Sequence, residues 1–274
     1  MKKVIFLSLI FTLSIFGDYS NHIDSKIVID ELVSKHGFDE SYVIEVLKNA
    51  KKREEMLQSV AKPAEKTKTW DEYKAIFIKT KRIRDGKKFI SKNITTLEKA
   101  EKEFGVPKEI ITAILGVETN YGSNKGGYRV IDSLTTLGFD DPRRSKFFRR
   151  ELIEFFLLTR ENNLDILNTK GSYAGAMGYG QFISSSYRAY AIDYDGDGYA
   201  DLFDSVDDSI GSTASYLARH GWKREGKIVT RTYPNNVRKF YKPHKSLTRF
   251  IPLTFNENGE DLYFIGDDNF RAIA

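Results

Sequence analysis

Ile110-Ile111-Thr112-Ala113-Ile114-Leu115-Gly116-Val117-Glu118-Thr119-Asn120-Tyr121-Gly122 is an apolar run that closes on a single acidic residue. At three-and-four spacing Glu118 shares one helical face with Ile111, Ile114 and Leu115. A glutamate on a surface helix has polar neighbours on that face, and this one has none. It therefore opens into a pocket or cleft, where apolar surroundings raise a carboxyl pKa and make it a candidate general acid. The competing reading is a helix-end carboxylate held by a cation or a backbone amide. Gly105-Val106-Pro107 marks the start of the run, because glycine stops the preceding helix and proline suits a first turn.

Outward from this run the pattern stays helical. Ile27, Val28, Leu32 and Val33, then Val43, Ile44, Val46 and Leu47, predict helices between Ile27 and Val60. Pro63 and the Lys/Thr-rich residues to Thr69 read as a connection. Tyr73, Ile76, Phe77 and Ile83 begin another helical run, and a longer helix is predicted from Phe89 to Phe104. Phe147, Phe148, Leu152, Phe155, Phe156 and Leu158 give Arg144–Arg160 a broad apolar face, and Asp208–Arg219 reads as a further helix. After Trp222 short strands are expected at 228–233, 250–253 and 262–265, with Asn258-Gly259 as a turn. The expected fold is mainly α (α+β).

Lys2 and Lys3 followed by the apolar run Val4–Phe16 and Gly17 have the form of a secretory leader, which places the product in the periplasm. The run is shorter than the roughly 20 residues that span a bilayer. There is no cysteine, so neither a disulfide nor a lipidated cysteine is expected. The formal charge of +5 includes the two leader lysines and is too small to argue for nucleic acid, for which no motif is present.

A conventional glycosidase needs a second carboxylate. Asp132, Asp140, Asp141 and Glu151 are near in sequence, but no pattern selects one of them; Asp132 can cap the following helix and Asp140-Asp141-Pro142 reads as a turn. Lys170-Gly171-Ser172-Tyr173-Ala174-Gly175-Ala176-Met177-Gly178-Tyr179-Gly180-Gln181-Phe182 combines four glycines with hydroxyl, amide and aromatic groups suited to sugar. Its glycine spacing matches neither a dinucleotide fingerprint nor a phosphate loop, and Met177 reads as a core filler.

Asp193-Tyr194-Asp195-Gly196-Asp197-Gly198-Tyr199-Ala200-Asp201-Leu202-Phe203-Asp204 follows the calcium-loop spacing at positions one, three, five and six. Tyr199 would offer its carbonyl at position seven. Asp204 stands where glutamate is usual, and Asp207 competes with it for the closing role. Structural Ca2+ is expected, and no organic cofactor.

The motifs Gly116-Val117-Glu118-Thr119-Asn120-Tyr121-Gly122, Leu134-Thr135-Thr136-Leu137 with Pro142-Arg143-Arg144, 170–182, the metal loop, Gly211-Ser212 and His220-Gly221-Trp222 occur in the order and spacing of one family. The chain resembles the membrane-bound lytic transglycosylase B family, from about Trp70 to its end. The resemblance implies a lysozyme-like core that cleaves the MurNAc–GlcNAc bond of peptidoglycan glycan strands and forms 1,6-anhydromuramyl ends. It implies Glu118 as the single acid/base, with the substrate's acetamido group in place of a second carboxylate. Ser172 would hydrogen-bond near Glu118, and Tyr179, Gln181 and Tyr216 would line the groove. Arg143 and Arg144 would lie toward the substrate, and Asp207 would close a longer metal loop. A hydrolytic muramidase and a weakly active peptidoglycan-binding scaffold are the alternatives. Cell-wall synthesis or divisome proteins are candidate partners, and a monomer is expected.

The chain departs from that family in having no cysteine to lipidate. The family also continues past the Asp268-Asn269-Phe270 region into an Arg-Tyr-Asn segment, whereas here Arg271-Ala272-Ile273-Ala274 follows. The expected organisation is a leader at 1–17, a helical region at 18–90, a catalytic core at 91–221 with the metal loop at 193–207, a β-rich region at 222–265, and an incomplete return to the core at 266–274.

Overall fold

The computed structural model describes residues 18–61, 70–226, 229–232, 255–257 and 260–266. The leader, the connection at 62–69, the strand expected at 250–253, the Asn258-Gly259 turn and residues 267–274 lie outside the described residues. A 3-10 turn at Tyr19–Asn21 opens a mainly helical chain: α1 (Ser25–His36), α2 (Glu40–Asn49), α3 (Glu54–Ala61), α4 (Trp70–Phe77), α5 (Thr80–Lys92), α6 (Ile94–Phe104) and α7 (Lys108–Thr119). There follow β1 (Tyr128–Arg129), α8 (Val130–Asp140), α9 (Ser145–Glu161), β2 (Lys170–Gly171), α10 (Ser184–Tyr190) and α11 (Val206–Arg219). The last described elements are β3 (Val229–Thr232), β4 (Phe255–Glu257) and β5 (Glu260–Gly266).

Local chemistry sets most boundaries. Asp39 accepts a hydrogen bond from Tyr42 N at 3.0 Å and starts α2. Gly37 at φ 66° and Gly105 at φ 72° end α1 and α6 in the left-handed region that glycine adopts without strain. The helix predicted from Phe89 to Phe104 is two helices. Asn93 breaks it, donating its backbone N–H to Phe89 O and Ile90 O while its side chain also bonds Phe89 O at 2.9 Å. β1 and β2 pair antiparallel, and β3, β5 and β4 form a second antiparallel sheet in that order, with Val229 opposite Gly266 and Phe255 opposite Leu262.

The buried side chains form two clusters. One joins α1–α3 to α8 and α9 through Leu32, Leu47, Met56, Leu134, Leu152 and Phe156. The other joins α5, α6, α7 and α11 through Phe89, Leu97, Leu115, Ile210 and Leu217, closed by Trp222. Both clusters draw on residues from before and after residue 90. In α9 Phe148, Phe155 and Phe156 are buried, but Phe147 is exposed beneath the Arg144 guanidinium, 4.5 Å from its ring centroid.

α8 is buried along its whole length from Val130 to Phe139. Asp132 in its first turn is fully buried and does not act as a cap. Its carboxylate instead accepts Lys51 N at 2.8 Å and Arg129 Nε at 3.0 Å, with Arg53 Nη2 at 3.4 Å. Tyr19 donates to Asp140 at 2.6 Å, tying the N-terminal turn to the far end of the same helix. Removing one member of a buried charge cluster leaves the others without compensation. Asp132→Ala is expected to cost about 3 kcal/mol, read as a lower urea midpoint, and a loss within error of zero would contradict the assignment.

Candidate active site

α7 ends in a tight corner. Tyr121 N donates to Leu115 O and Asn120 N to Gly116 O, both at 3.1 Å. Asn120, Tyr121 and Gly122 then take φ of 52°, 59° and 81°. Two non-glycine residues in the left-handed region cost about 1–2 kcal/mol each, so tertiary contacts must hold them there. Tyr121 supplies one: its hydroxyl donates to Arg82 O at 3.0 Å, and its ring fills the space left by two glycines. A Cβ on Gly86 would meet the Tyr121 hydroxyl at 2.5 Å, and one on Gly116 at 2.6 Å. Thr119 supplies the other, donating to Tyr179 O at 2.8 Å and accepting from Gly122 N at 2.9 Å.

This corner holds Glu118 at the wall of a cleft of about 330 Å³ lined by Ile114, Gln181, Phe182, Thr213 and Tyr216 among others. Much of the Glu118 surface opens into the groove, yet the protein packed around its carboxyl removes enough water to raise its pKa above the ordinary glutamate value. The carbonyl end of α7 further disfavours the anion. Among the described residues no hydrogen bond or ion pair offsets this, which leaves the cation-held reading of Glu118 without a partner.

The cleft brings together Glu118, Gln181 and Tyr216. Gln181 sits at φ 50° and its amide donates to Gly178 O at 3.1 Å and Lys125 O at 3.3 Å. Tyr216 is braced edge-on by Phe182 at 5.6 Å and stacked on His220 at 3.9 Å between centroids. The other expected groove residues stand outside the lining. The Ser172 hydroxyl oxygen accepts Ala176 N at 3.1 Å and Ala174 N at 3.3 Å within its own turn. Tyr179 packs over Gly122. Arg143 folds back toward Asp141, and Arg144 lies over Phe147 and Phe148.

The four candidate second carboxylates are all used elsewhere. Asp132 and Asp140 hold the N-terminal segment as described. Glu151 accepts Ser185 N at 2.9 Å and Ser185 Oγ at 2.7 Å, and Asp141 accepts Arg143 N at 2.9 Å. Among the described residues Glu118 is the only carboxylate that lines the cleft. Thr213 and Phe182 were not singled out as cleft residues, although each adjoins a motif residue, Ser212 and Gln181 respectively.

In the metal loop the carboxylates of Asp193, Asp195 and Asp197 are exposed, with oxygens within 4.8 Å of one another. Asp193 accepts Gly196 N at 2.7 Å and Gly198 N at 2.8 Å, and both glycines have positive φ. An all-oxygen donor set of this kind fits a hard cation such as Ca2+. Asp204 and Asp207, the two candidates for the closing role, lie outside this group of three. Asp204 pairs with Lys125 at 3.4 Å, and Asp207, in the first turn of α11, accepts Thr96 Oγ1 at 2.7 Å. The loop's organiser is Asp208, fully buried, which accepts Tyr194 N, Asp201 N and Asp195 N at 2.6, 2.7 and 3.2 Å. Its sequence signal was the Ser205-to-Asp208 start of α11, where Ser205 Oγ accepts Asp208 N.

Gly116→Ala drives a methyl group into the Tyr121 ring beneath Glu118. It is expected to destabilise by about 1–3 kcal/mol and to lower turnover beyond the loss of folded protein, measured by urea titration and by rate per folded molecule.

The family described as Transglycosylase SLT domain matches residues 24–273. Membrane-bound lytic murein transglycosylase B of Escherichia coli K12 is 41% identical over 222 residues, covering 78% of this chain. The chain spans 61% of the length of that curated relative. The soluble lytic transglycosylase SltB1 from Pseudomonas aeruginosa superposes with a TM-score of 0.80 at 38% identity, over 90% of each chain. The Escherichia coli lytic transglycosylase Slt35, solved in complex with calcium, gives 0.80 at 35% identity over 94% of this chain and 88% of its own. With the family match spanning nearly all of its length, the chain belongs to the transglycosylase SLT domain family.

Proposed function

We propose that this protein is a lytic transglycosylase acting on peptidoglycan glycan strands, which cleaves the MurNAc–GlcNAc β-1,4 bond and leaves a 1,6-anhydromuramyl end. One observation carries the reading: among the described residues a single carboxylate lines the cleft, and desolvation holds its proton more tightly than usual. A two-carboxylate glycosidase needs a base or nucleophile across the sugar. With no second carboxylate lining this cleft among the described residues, groups of the substrate take that part. Glu118 gives its proton to the bridging oxygen as the bond to C1 breaks. The carboxylate so formed takes the proton of the muramyl O6 hydroxyl as O6 bonds to C1. Protons balance, Glu118 is restored, and no water is consumed. The substrate's acetamido group shields the intermediate, and Gln181 and Tyr216 offer an amide and an aromatic face to the sugar.

Relatives that carry the name lytic transglycosylase support this reading. In it, catalysis falls to residues 91–221, flanked by the segments at 18–90 and 222–265. The leader pattern at 1–17 supports export to the periplasm, and among the described residues no helix is long and apolar enough to cross a membrane. Ca2+ at the 193–199 loop serves stability, since three clustered carboxylates repel one another without it.

Mass spectrometry of digested peptidoglycan tests the product. An anhydro end is lighter than a hydrolysed end by one water. The heavier product would mean a muramidase, and binding to sacculi without release would mean a scaffold.

Glu118→Gln should lower turnover at least about 100-fold. With a raised pKa, the protonated wild-type acid persists above the ordinary glutamate range. The rate should therefore fall as pH rises through that raised value. The same shift means ionisation opposes folding above the unfolded pKa, so Glu118→Gln should melt no lower than wild type at neutral pH. A folded variant of near-parent rate would sink the assignment.

Saturating Ca2+ should raise the melting temperature of metal-free protein, and the paired change Asp193→Asn with Asp197→Asn should abolish the rise. An unchanged melt in demonstrably metal-free wild type would refute the metal site.

A further inference from the structure

We infer that Lys125 is a positioning residue that ties the metal loop to the wall of the cleft and holds Gln181 in place through its own backbone. Four contacts converge on it. Its ammonium donates to the Phe203 carbonyl and pairs with Asp204 at 3.4 Å, both at the end of the metal loop. The same ammonium lies 5.0 Å from the Tyr179 ring centroid. Its carbonyl accepts the Gln181 amide at 3.3 Å, and Gln181 lines the cleft with Glu118.

The path on the other side is equally short. The segment from Glu118 to Lys125 is pinned at Gly122 by Thr119 Oγ1 and at Asn124, whose N–H donates to Thr119 O at 2.9 Å. Lys125 is therefore the outer anchor of an eight-residue arc, Glu118 to Lys125, whose inner end carries the acid. Its side chain also lines a second, larger cleft of about 760 Å³ shared with Asp197, Tyr199 and Asp204. The metal loop and the catalytic cleft thus meet across one residue.

Gln181 depends on this anchor because its backbone is in the left-handed region at φ 50° and its amide has two acceptors, Gly178 O and Lys125 O. Freeing the arc removes one of them. A cation that orders the loop fixes the Phe203 carbonyl and hence the ammonium it binds. The loop's occupancy and the affinity of the cleft for sugar are then coupled reciprocally.

This inference rests on the proposed sugar cleft and calcium loop, and its test separates them. The probe is the β-1,4 tetrasaccharide of N-acetylglucosamine, its Kd measured by calorimetry with and without Ca2+, with melting temperatures recorded alongside. Wild type should bind about fivefold or more tightly with Ca2+. Lys125→Met should keep the calcium-induced rise in melting temperature but lose that dependence, and Lys125→Arg should restore most of it. In a Gln181→Ala background Lys125→Met should weaken binding by less than twofold, because its route to the sugar is already gone. If Lys125→Met retains the calcium dependence of Kd, or if its effect adds fully to that of Gln181→Ala, the positioning role is wrong. Calcium that raises the melting temperature without changing the wild-type Kd would keep the metal site and overturn the coupling. A wild type that binds no tetrasaccharide would overturn the sugar cleft and the coupling together.

Discussion

The corner at Thr119–Gly122 is the constraint on which the candidate site depends. A helix that ran on past Thr119 would carry the chain away from the cleft; three successive left-handed residues reverse it within one turn. That reversal is unfavourable by itself. It is held by the Tyr121 ring wedged between Gly86 on α5 and Gly116 on α7, and by the Thr119 hydroxyl bonded to the Tyr179 carbonyl. The same contacts set the depth at which Glu118 meets the cleft. A helix-end carboxylate in open water would titrate normally and be a poor acid at neutral pH, whereas protein packed around it raises its pKa.

The remaining acids show how one fold assigns different work to chemically identical groups. Asp132, Asp140 and Glu151 each meet hydrogen-bond donors across long stretches of chain, and these bonds join helices. Asp208 meets three backbone N–H groups and shapes a loop. Asp193, Asp195 and Asp197 meet one another and invite a cation. Among the described residues Glu118 is the one carboxylate that faces the cleft, and no hydrogen bond to it is made. The division of labour follows from what each carboxylate touches, and at Glu118 desolvation without a partner favours the protonated acid.

Much of this was legible before any coordinates. The apolar face ending in Glu118, the break at Gly105-Val106-Pro107, the α9 core face and the aspartate spacing of the metal loop are local patterns written in periodicity and turn chemistry. α8 was much less legible as an element. It is buried on every side, so its apolar residues follow no stripe, and Asp132, Thr135 and Thr136 look like surface until their partners are seen. The split at Asn93 was missed because both halves are good helix sequence and only a side-chain bond to Phe89 O favours the break.

The sequence by itself determined which residues could act: a lone glutamate on an apolar face, an oxygen-rich loop and a glycine-rich stretch, all set by near-neighbour chemistry. Only the tertiary structure decided which of them meet. It brought Gln181 and Tyr216 to Glu118, kept Ser172, Arg143 and Arg144 out of the cleft lining, and turned Asp204 and Asp207 toward Lys125 and Thr96. The physical reason is that a side chain's partner across the fold depends on how helices pack, and packing is fixed by many buried contacts far away in sequence.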